Sequence, residues 1–359
     1  MAYYFMTASK DASVYLQQPN QNTGLDEILE VSKVYYGNIK DIGRALLKFE
    51  VEYLSSSLVN TSISMSEATL ILRETESDEI PLEYTIYCNA VSGAWEMGKG
   101  TRFDNIETAG VTWNYREGDT SLEWVENGLN EGTSANPNTG VGGTWWNGLA
   151  TSQSFNYDTA DITMDVSDLL RGWMSGSVPN DGMILRFGAS QENDTEDYGQ
   201  LKFFSKETNT IYQPKIRIGW DDSSFSTGSL LPLTSDELKV NVKNFKKEYK
   251  VGTTPKVKVV GRELYPVKTF TNTFAYSSVK YLPEETYYQI KDFASDDIIV
   301  PFSDFTKVSC DENGNYFNLN LSNWEAGRVY KLEFKVIMGD TELYFDEDIT
   351  FTIVSKWYG

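Results

Sequence analysis

The chain has 359 residues, of which 40% are hydrophobic and 14% aromatic, so it is long and apolar enough to build more than one buried core. Its 52 acidic and 31 basic residues give a net charge of −21, which argues against a nucleic-acid partner and against binding to an anionic membrane. Histidine is absent, which excludes His-based catalytic triads, His-ligated zinc and an imidazole pH switch.

The first residues and the cysteines favour a chain that is made and folded in a cytoplasm. Residues 1–7 have neither the basic region nor the long apolar run of a signal peptide. No apolar run approaches the roughly 20 residues that cross a bilayer. Cys88 and Cys310 lie far apart in the chain, so we expect both to be free, buried, small apolar residues.

Alternating apolar and polar residues predict half-buried antiparallel strands in the first part of the chain. In the first such strand, Arg44, Lys48 and Glu50 are predicted on the solvent face. The apolar faces consist of Ala45, Leu47, Phe49 and Val51 in one strand, and of Leu82, Tyr84, Ile86 and Cys88 in the next.

Residues 95–146 are rich in glycine, asparagine and tryptophan and contain few aliphatic residues, which predicts a long ordered loop region. Two interpretations of its indoles are open. In one, they form a platform that stacks on a sugar or contacts a partner protein. In the other, which we favour, they fill the core of the loop region itself. The candidate contact residues are Trp124, Trp145 and Trp146.

Apolar residues at positions i, i+3, i+4 and i+7 predict one short helix over residues 165–173, with Asp165 as its N-cap. Pro179 and Gly182 then end the helical segment, and a strand is predicted over 183–187. We expect the apolar stripe to cover the core beneath it. The stripe consists of Val166, Leu169, Leu170 and Trp173.

Small polar residues over 221–229 are typical of a linker. We therefore divide the chain into a domain over 1–222, a linker over 223–234 and a C-terminal region over 235–359. Alternation returns in that region, and Asn313-Gly314 predicts a type I′ hairpin. The region is one larger sandwich or two Ig-like units, about 235–282 and 283–359, and we favour two.

The charged and glycine-rich motifs do not indicate an enzyme. Neighbouring acids such as Asp221-Asp222 point to opposite faces of a strand, so they are interpreted as solvated surface and not as a glycosidase pair. The acidic segment 192–197 lacks EF-hand spacing and is interpreted as a loop tip. The glycine-rich segments 98–100 and 140–143 are assigned to turns. We predict no catalytic residue, no metal site and no cofactor.

Three segments together resemble the DNRLRE-type domain, a β-sandwich similar to carbohydrate-binding modules. The resemblance covers most of residues 1–220 and implies a jelly-roll-like sandwich with one short helix. The segments are Arg44–Phe49, Gly110–Gly118, and Asp165–Trp173 with its exit Pro179–Gly182.

Taken with these segments, further downstream segments resemble virion structural proteins of large tailed bacteriophages. They are Leu201–Lys206, Thr208–Pro214, Trp220-Asp221, Gly261–Pro266 and Tyr281–Pro283.

This resemblance implies a non-enzymatic virion component, such as a capsid decoration, neck or tail protein. Such a protein is made in the bacterial host cytoplasm and docks on other virion proteins or on copies of itself, with no nucleic-acid or membrane partner. The alternative is a carbohydrate-binding adhesion module for host surface glycans, and a third reading is a carboxylate hydrolase. In fold class, the sequence predicts an all-β protein with an N-terminal jelly-roll-like sandwich followed by one or two Ig-like sandwiches.

Overall fold

The computed structural model of the chain describes residues 2–51, 54, 67–78, 83–124, 142–155, 161–235, 237–266 and 279–355. Within these residues the regular structure is almost entirely β-strand, which confirms the all-β prediction. The chain divides into two compact units: an N-terminal unit, Met6–Arg217, and a C-terminal unit that combines Ile218–Gly359 with Met1–Phe5. No helix in the described part of the chain is long and apolar enough to cross a membrane.

The first fourteen strands lie before residue 221 and are accompanied by two short helices, α1 (Ser167–Met174) and α2 (Ala189–Asn193). The strands are β1 (Ala2–Thr7), β2 (Lys10–Tyr15), β3 (Ile28–Tyr36), β4 (Ile39–Lys48), β5 (Glu67–Leu72), β6 (Glu74–Asp78), β7 (Tyr84–Val91), β8 (Tyr115–Glu117), β9 (Leu122–Glu123), β10 (Trp145–Phe155), β11 (Ile162–Asp165), β12 (Met183–Phe187), β13 (Gly199–Phe204) and β14 (Lys215–Trp220).

These strands form two main sheets. Eight strands make one sheet in the order β10-β7-β12-β4-β3-β13-β6, with β2 paired to β4, and four make the other in the order β1-β14-β5-β11. Edge strands β10 and β11 are joined by the Gln153 side chain, which donates to Asp161 O at 3.1 Å and accepts from Thr163 N at 2.8 Å. This closes one edge of the sandwich.

Strand β4 differs from the predicted half-buried strand. Its apolar residues, including Ala45 and Leu47, are fully buried as expected, but Arg44 on the opposite face is 0% exposed as well. The prediction of Arg44 as a solvent-facing residue is therefore wrong, because that face of the sheet is covered by loops. Leu82, in the second predicted strand, lies outside the described residues.

Helix α1 confirms the predicted buried stripe, with a shifted start. The four stripe residues are at most 5% exposed. The N-cap position is Val166, whereas Asp165 is the last residue of β11 and accepts a hydrogen bond from Ser167 N at 2.9 Å. Asp165 therefore lies one residue before the N-cap, and not at the N-cap as predicted, but its carboxylate still accepts from the first residue of the helix. The second helix, α2, was not predicted.

The C-terminal unit contains eleven further strands and one 3₁₀ turn, Asp304–Thr306, which agrees with the expectation of almost no helix. The strands are β15 (Leu231–Pro232), β16 (Leu238–Lys243), β17 (Glu248–Lys250), β18 (Lys256–Glu263), β19 (Lys280–Tyr281), β20 (Thr286–Asp292), β21 (Ile298–Val300), β22 (Ser309–Asp311), β23 (Gly314–Asn318), β24 (Val329–Met338) and β25 (Thr341–Val354).

A single core runs through this unit. Its main sheets have the orders β16-β18-β23-β22 and β17-β25-β24-β20-β21. One cluster of buried side chains extends from Leu233 to Ile353, so 235–282 and 283–359 share a core, which favours one sandwich over two units. Tyr3 and Phe5 belong to the same core, and the Phe5 ring makes an edge contact with Trp324 at 5.6 Å.

The predicted linker and hairpin take definite conformations. Residues 224–226 lie along β22, where Cys310 N donates to Ser224 O at 2.9 Å and Ser226 N donates to Cys310 O at 3.0 Å. The β22–β23 hairpin forms where predicted, but Asp311 pairs with Gly314, so Glu312 and Asn313 are its loop residues. The left-handed residue is Gly314 (φ 108°), so the type I′ assignment was wrong.

Both cysteines are free and buried, as predicted.

Replacing Trp173 by alanine should lower the free energy of unfolding by about 3 to 5 kcal/mol, because the indole is 5% exposed and its removal leaves a cavity. Urea denaturation measures this change. Arg171→Ala on the exposed side of the same helix is the control and should change stability by no more than about 0.5 kcal/mol. Equal effects of the two substitutions would contradict the core position of α1.

Candidate functional site

The three tryptophans proposed as contact residues are not equally accessible. Trp124 and Trp145 are 5% and 2% exposed and belong to a buried cluster with Trp95 and Trp113, whereas Trp146 is half-buried. The Trp124 indole N–H donates to Thr112 O at 3.1 Å. Burial of two of the three indoles favours the interpretation that they fill the loop core. A contact role for these residues stays a prediction.

A buried ion pair holds these loops on the sheet. The Arg44 guanidinium donates to both carboxylate oxygens of Glu192, at 3.0 Å (Nε) and 2.7 Å (Nη2), and Nη1 donates to Gly142 O at 2.8 Å. The guanidinium carbon also lies 4.8 Å and 5.2 Å from the ring centroids of Trp113 and Trp145. Bidentate geometry and ring stacking compensate the desolvation of this charge.

Glycine at position 142 is required by this packing. Gly142 has a φ of 58°, and a Cβ there would lie 2.7 Å from the ring of Trp113. A side chain would therefore push the indole off Arg44. We refer to Arg44, Glu192, Gly142, Trp113 and Trp145 as the arginine clamp.

Two further cations lie on strands next to Arg44. Lys33 on β3 is 0% exposed and donates to Asp194 Oδ1 at 2.8 Å and to Glu196 O. Burial alone would raise the pKa of Asp194, but the hydrogen bonds from Lys33 and Tyr198 outweigh it and hold that pKa below its ordinary value. Two acids of segment 192–197, Glu192 and Asp194, thus pair with protein cations. Glu192 is buried in α2, so this end of the segment is not the loop tip that the sequence predicted.

Arg186 on β12 completes this row of cations. Its guanidinium carbon lies 4.2 Å from a Trp145 ring centroid and 5.7 Å from that of Tyr87, and Nη1 donates to Phe187 O at 2.9 Å. Burial lowers the pKa of Arg186 to about 10. Lys33 and Arg44 hold α2 and the loops over the sheet through these contacts.

A second group of interactions fixes the loop over residues 97–111, which we call the display loop. Asn22 is fully buried, and its amide nitrogen donates to Met97 O and Val111 O, each at 2.8 Å. Its amide oxygen accepts from Gly100 N at 2.8 Å. Gly98 (φ 80°) lies so close that a Cβ would be 2.3 Å from this amide oxygen. One side chain therefore joins both ends of the loop.

Arg102 fixes the middle of the display loop. Its backbone N–H donates to Asp26 Oδ1 at 3.0 Å, and its guanidinium pairs with Glu30. The guanidinium carbon lies 3.8 Å from the ring centroid of Tyr15. The loop is thus held to β2 and β3 by charge-assisted and stacking contacts.

The fixed display loop presents apolar side chains to solvent. Phe103 and Ile106 are 88% and 77% exposed, and the exposed acids Asp104 and Glu107 flank Ile106. The sequence predicted an ordered loop region here but not the exposure of Phe103 and Ile106, because Gly98-Lys-Gly100 was interpreted only as a turn. The sequence signal that could have indicated exposed apolar side chains is the pair Phe103 and Ile106, which flanks Asp104-Asn105 in an otherwise polar segment between glycines.

Comparisons with known proteins do not identify a family. No protein-family model and no curated protein matches the chain. Two structures of the Parabacteroides merdae β-glucuronidase, one with glycerol in its active site, are 8% and 7% identical with TM-scores of 0.17 and 0.18. They cover 81% and 97% of this chain, which spans only 29% and 35% of the enzyme.

A third solved structure with weak similarity comes from a phage. The tripod (BppUct-A-L) of the bacteriophage Tuc2009 baseplate is 10% identical with a TM-score of 0.15, covering 98% of this chain and 97% of its own. TM-scores this low carry no argument about function. The resemblances to DNRLRE-type domains and to virion proteins stay predictions.

Replacing Glu192 by methionine should lower the free energy of unfolding by about 3 to 5 kcal/mol, because it leaves the buried Arg44 without its counter-charge. The double variant Arg44→Met/Glu192→Met should be less destabilised than the single one, since no buried charge remains unpaired. Chemical denaturation, monitored by the near-ultraviolet circular dichroism of the indoles, measures the free energy of unfolding of both variants. Glu196→Met, an exposed residue of the same segment, is the control. A double variant that is worse than the single would contradict this account.

Proposed function

We propose that the protein is a non-enzymatic structural component of a tailed-phage virion, made in the host cytoplasm, that works by docking on another protein through its display loop. One observation carries the docking role. Phe103 and Ile106 are 88% and 77% exposed, while the backbone that bears them is held by the fully buried Asn22. Exposed apolar side chains on an ordered loop are typical of interaction sites.

The fixed backbone lowers the loss of conformational entropy that docking causes. A flexible loop loses conformational entropy when it binds, at about 0.5 to 1.5 kcal/mol for each side chain that is immobilised, in addition to the ordering of its backbone. The contacts of Asn22 and Arg102 order the loop before it meets a partner. Phe103 and Ile106 can then act as anchors in a pocket of the partner. The virion location is supported by the resemblance of nearly the whole chain to virion structural proteins of large tailed bacteriophages.

Glycan binding is a second candidate function, and a different surface favours it. Tyr87 is 36% exposed and lies next to Arg186, and the hydroxyls of Thr85 and Ser154 lie on the neighbouring part of β7 and β10. A cleft of about 420 Å³ opens at these two hydroxyls and is lined by Thr85, Ser154 and Gln191, with Tyr87 outside its lining and two residues along β7 from Thr85. Saturable binding of purified host polysaccharide that is lost in Tyr87→Ala would support this function over protein docking.

The double variant Phe103→Ala/Ile106→Ala should keep wild-type stability, because both side chains are exposed, and should lower incorporation into particles at least about tenfold, as expected for loss of two anchors. Mass spectrometry of purified virions, complemented with each variant, measures incorporation. The control is Tyr36→Ala/Ile39→Ala at the β3–β4 turn, whose side chains are 84% and 61% exposed. Absence of the wild-type chain from purified virions would overturn the proposal.

A further inference from the structure

Basic residues are concentrated in one part of this acidic chain. Residues 239–280 contain ten Lys and Arg but only two acids, Glu248 and Glu263, whereas the rest of the chain has 21 basic and 50 acidic residues. The N-terminal unit, Met6–Arg217, contains 15 basic and 31 acidic residues. The net charge of −21 therefore conceals two regions of opposite sign within one molecule. Such an asymmetry indicates an electrostatic interaction surface.

The fold places five of the cations on one side of a sheet. Strands β16 and β18 pair so that Lys239 lies opposite Arg262 and Lys243 lies opposite Lys258. Alternate residues of both strands are buried in the core, which directs the cations to the other side. We call this surface the basic face, formed by Lys239, Lys243, Lys256, Lys258 and Arg262.

Lys243 and Lys258 form no ion pair within 4.0 Å in the described part of the chain, although the hydrogen bond from Lys256 and, to a smaller extent, the charge of Lys258 lower the pKa of Asp311. The acids nearest to the basic face are already paired: Lys239 with Glu347 at 2.6 Å, and Lys256 with Asp311 at 2.7 Å. Lys243 and Lys258 are both exposed and directly opposite, an arrangement of like charges that destabilises a sheet. An anionic group bound between them would remove this repulsion.

The shape and apolar residues around this pair match a protein ligand. A cleft of about 580 Å³ runs past Lys243, Lys258 and Arg262, with Val260 in its wall. Two acids also line it: Glu312, and Glu263, which is paired with Lys280 at 2.6 Å. Beside it, Leu264 and Tyr265 are 46% and 73% exposed. The surface thus offers cations next to exposed apolar side chains.

The display loop has the complementary composition. Its exposed acids, Asp104 and Glu107, flank Ile106 and follow the exposed Phe103. We propose that the basic face binds the display loop of a second copy of this chain. This inference rests on the proposed role of the loop in docking and names its partner. Because two different surfaces meet, the contact is heterologous and repeats from copy to copy, forming a ring or a filament.

Zero-length carbodiimide cross-linking tests this contact, because it joins a lysine to a carboxylate only when they touch. Unlabelled and heavy-nitrogen-labelled copies are mixed, so that a cross-link between two copies contains both isotopes. We expect mixed-isotope cross-links from Lys243 or Lys258 to Asp104 or Glu107 at about 50 mM salt, and their loss at about 500 mM, where screening is strong. Sedimentation should show association that weakens in parallel.

Variants separate the contact from general charge effects. Lys258→Glu should weaken association at least tenfold, and Glu107→Gln should weaken it while keeping an acceptor for Ala109 N. The control Lys307→Glu changes the net charge equally and should associate like wild type.

A monomer without mixed-isotope cross-links at either salt concentration would overturn the inference, as would unchanged association of Lys258→Glu. Lys258-dependent binding of a labelled polyphosphate chain by a monomer would assign the face to a polyanion instead. If virions contain the chain but copies do not cross-link, only this inference fails. If copies cross-link but virions lack the chain, only the virion role fails.

Discussion

The buried pairing of Arg44 with Glu192 is the interaction that holds α2 and the segments of Trp113 and Gly142 on the large sheet of the N-terminal unit. Arg44 projects from a central strand, and its guanidinium donates to Glu192 of α2 and to the Gly142 carbonyl while its carbon lies near the rings of two indoles. A lysine could not replace it, since an ammonium group has neither the planar fork nor the stacking surface. The pair is bidentate and stacked, which is the geometry that compensates the desolvation of two charges. Through this pair, the face of the sheet that carries Arg44 is covered by α2 and by loop residues such as Gly142.

Much of the fold follows from alternation and spacing in the sequence. The strand over 183–187 and the apolar stripe of α1 were predicted because each pattern depends only on local side-chain periodicity. Arg44 was predicted on the solvent face because periodicity assigns a residue to one face of a sheet. It cannot show that another segment of the chain covers that face. Helix α2 was missed because its short polar sequence gains its stability from tertiary contacts of Glu192. The contribution of Tyr3 and Phe5 to the C-terminal core is likewise a long-range contact without a local pattern.

The candidate surfaces were harder to predict than the fold. Composition identified tryptophan as the characteristic residue of the loop region, but an indole fills a core as well as it binds a ligand, and only the structure separates the buried Trp145 from the half-buried Trp146. The display loop depends on one asparagine, Asn22, far from it in the sequence. The net charge describes the whole molecule correctly but hides the basic region 239–280, because adding all charges gives no information about where they lie along the chain.

The position of Tyr3 and Phe5 has a consequence for how the chain folds during synthesis. These residues leave the ribosome well before their core partners, such as Trp324. Strand β1 must therefore wait, with its aromatic side chains exposed, while some three hundred residues are added at roughly 5 to 20 per second. Closure of the C-terminal core is then a late event of high contact order, and such events are slow because a long loop must close before its contacts form. A chaperone that shields Tyr3 and Phe5 would act during this interval.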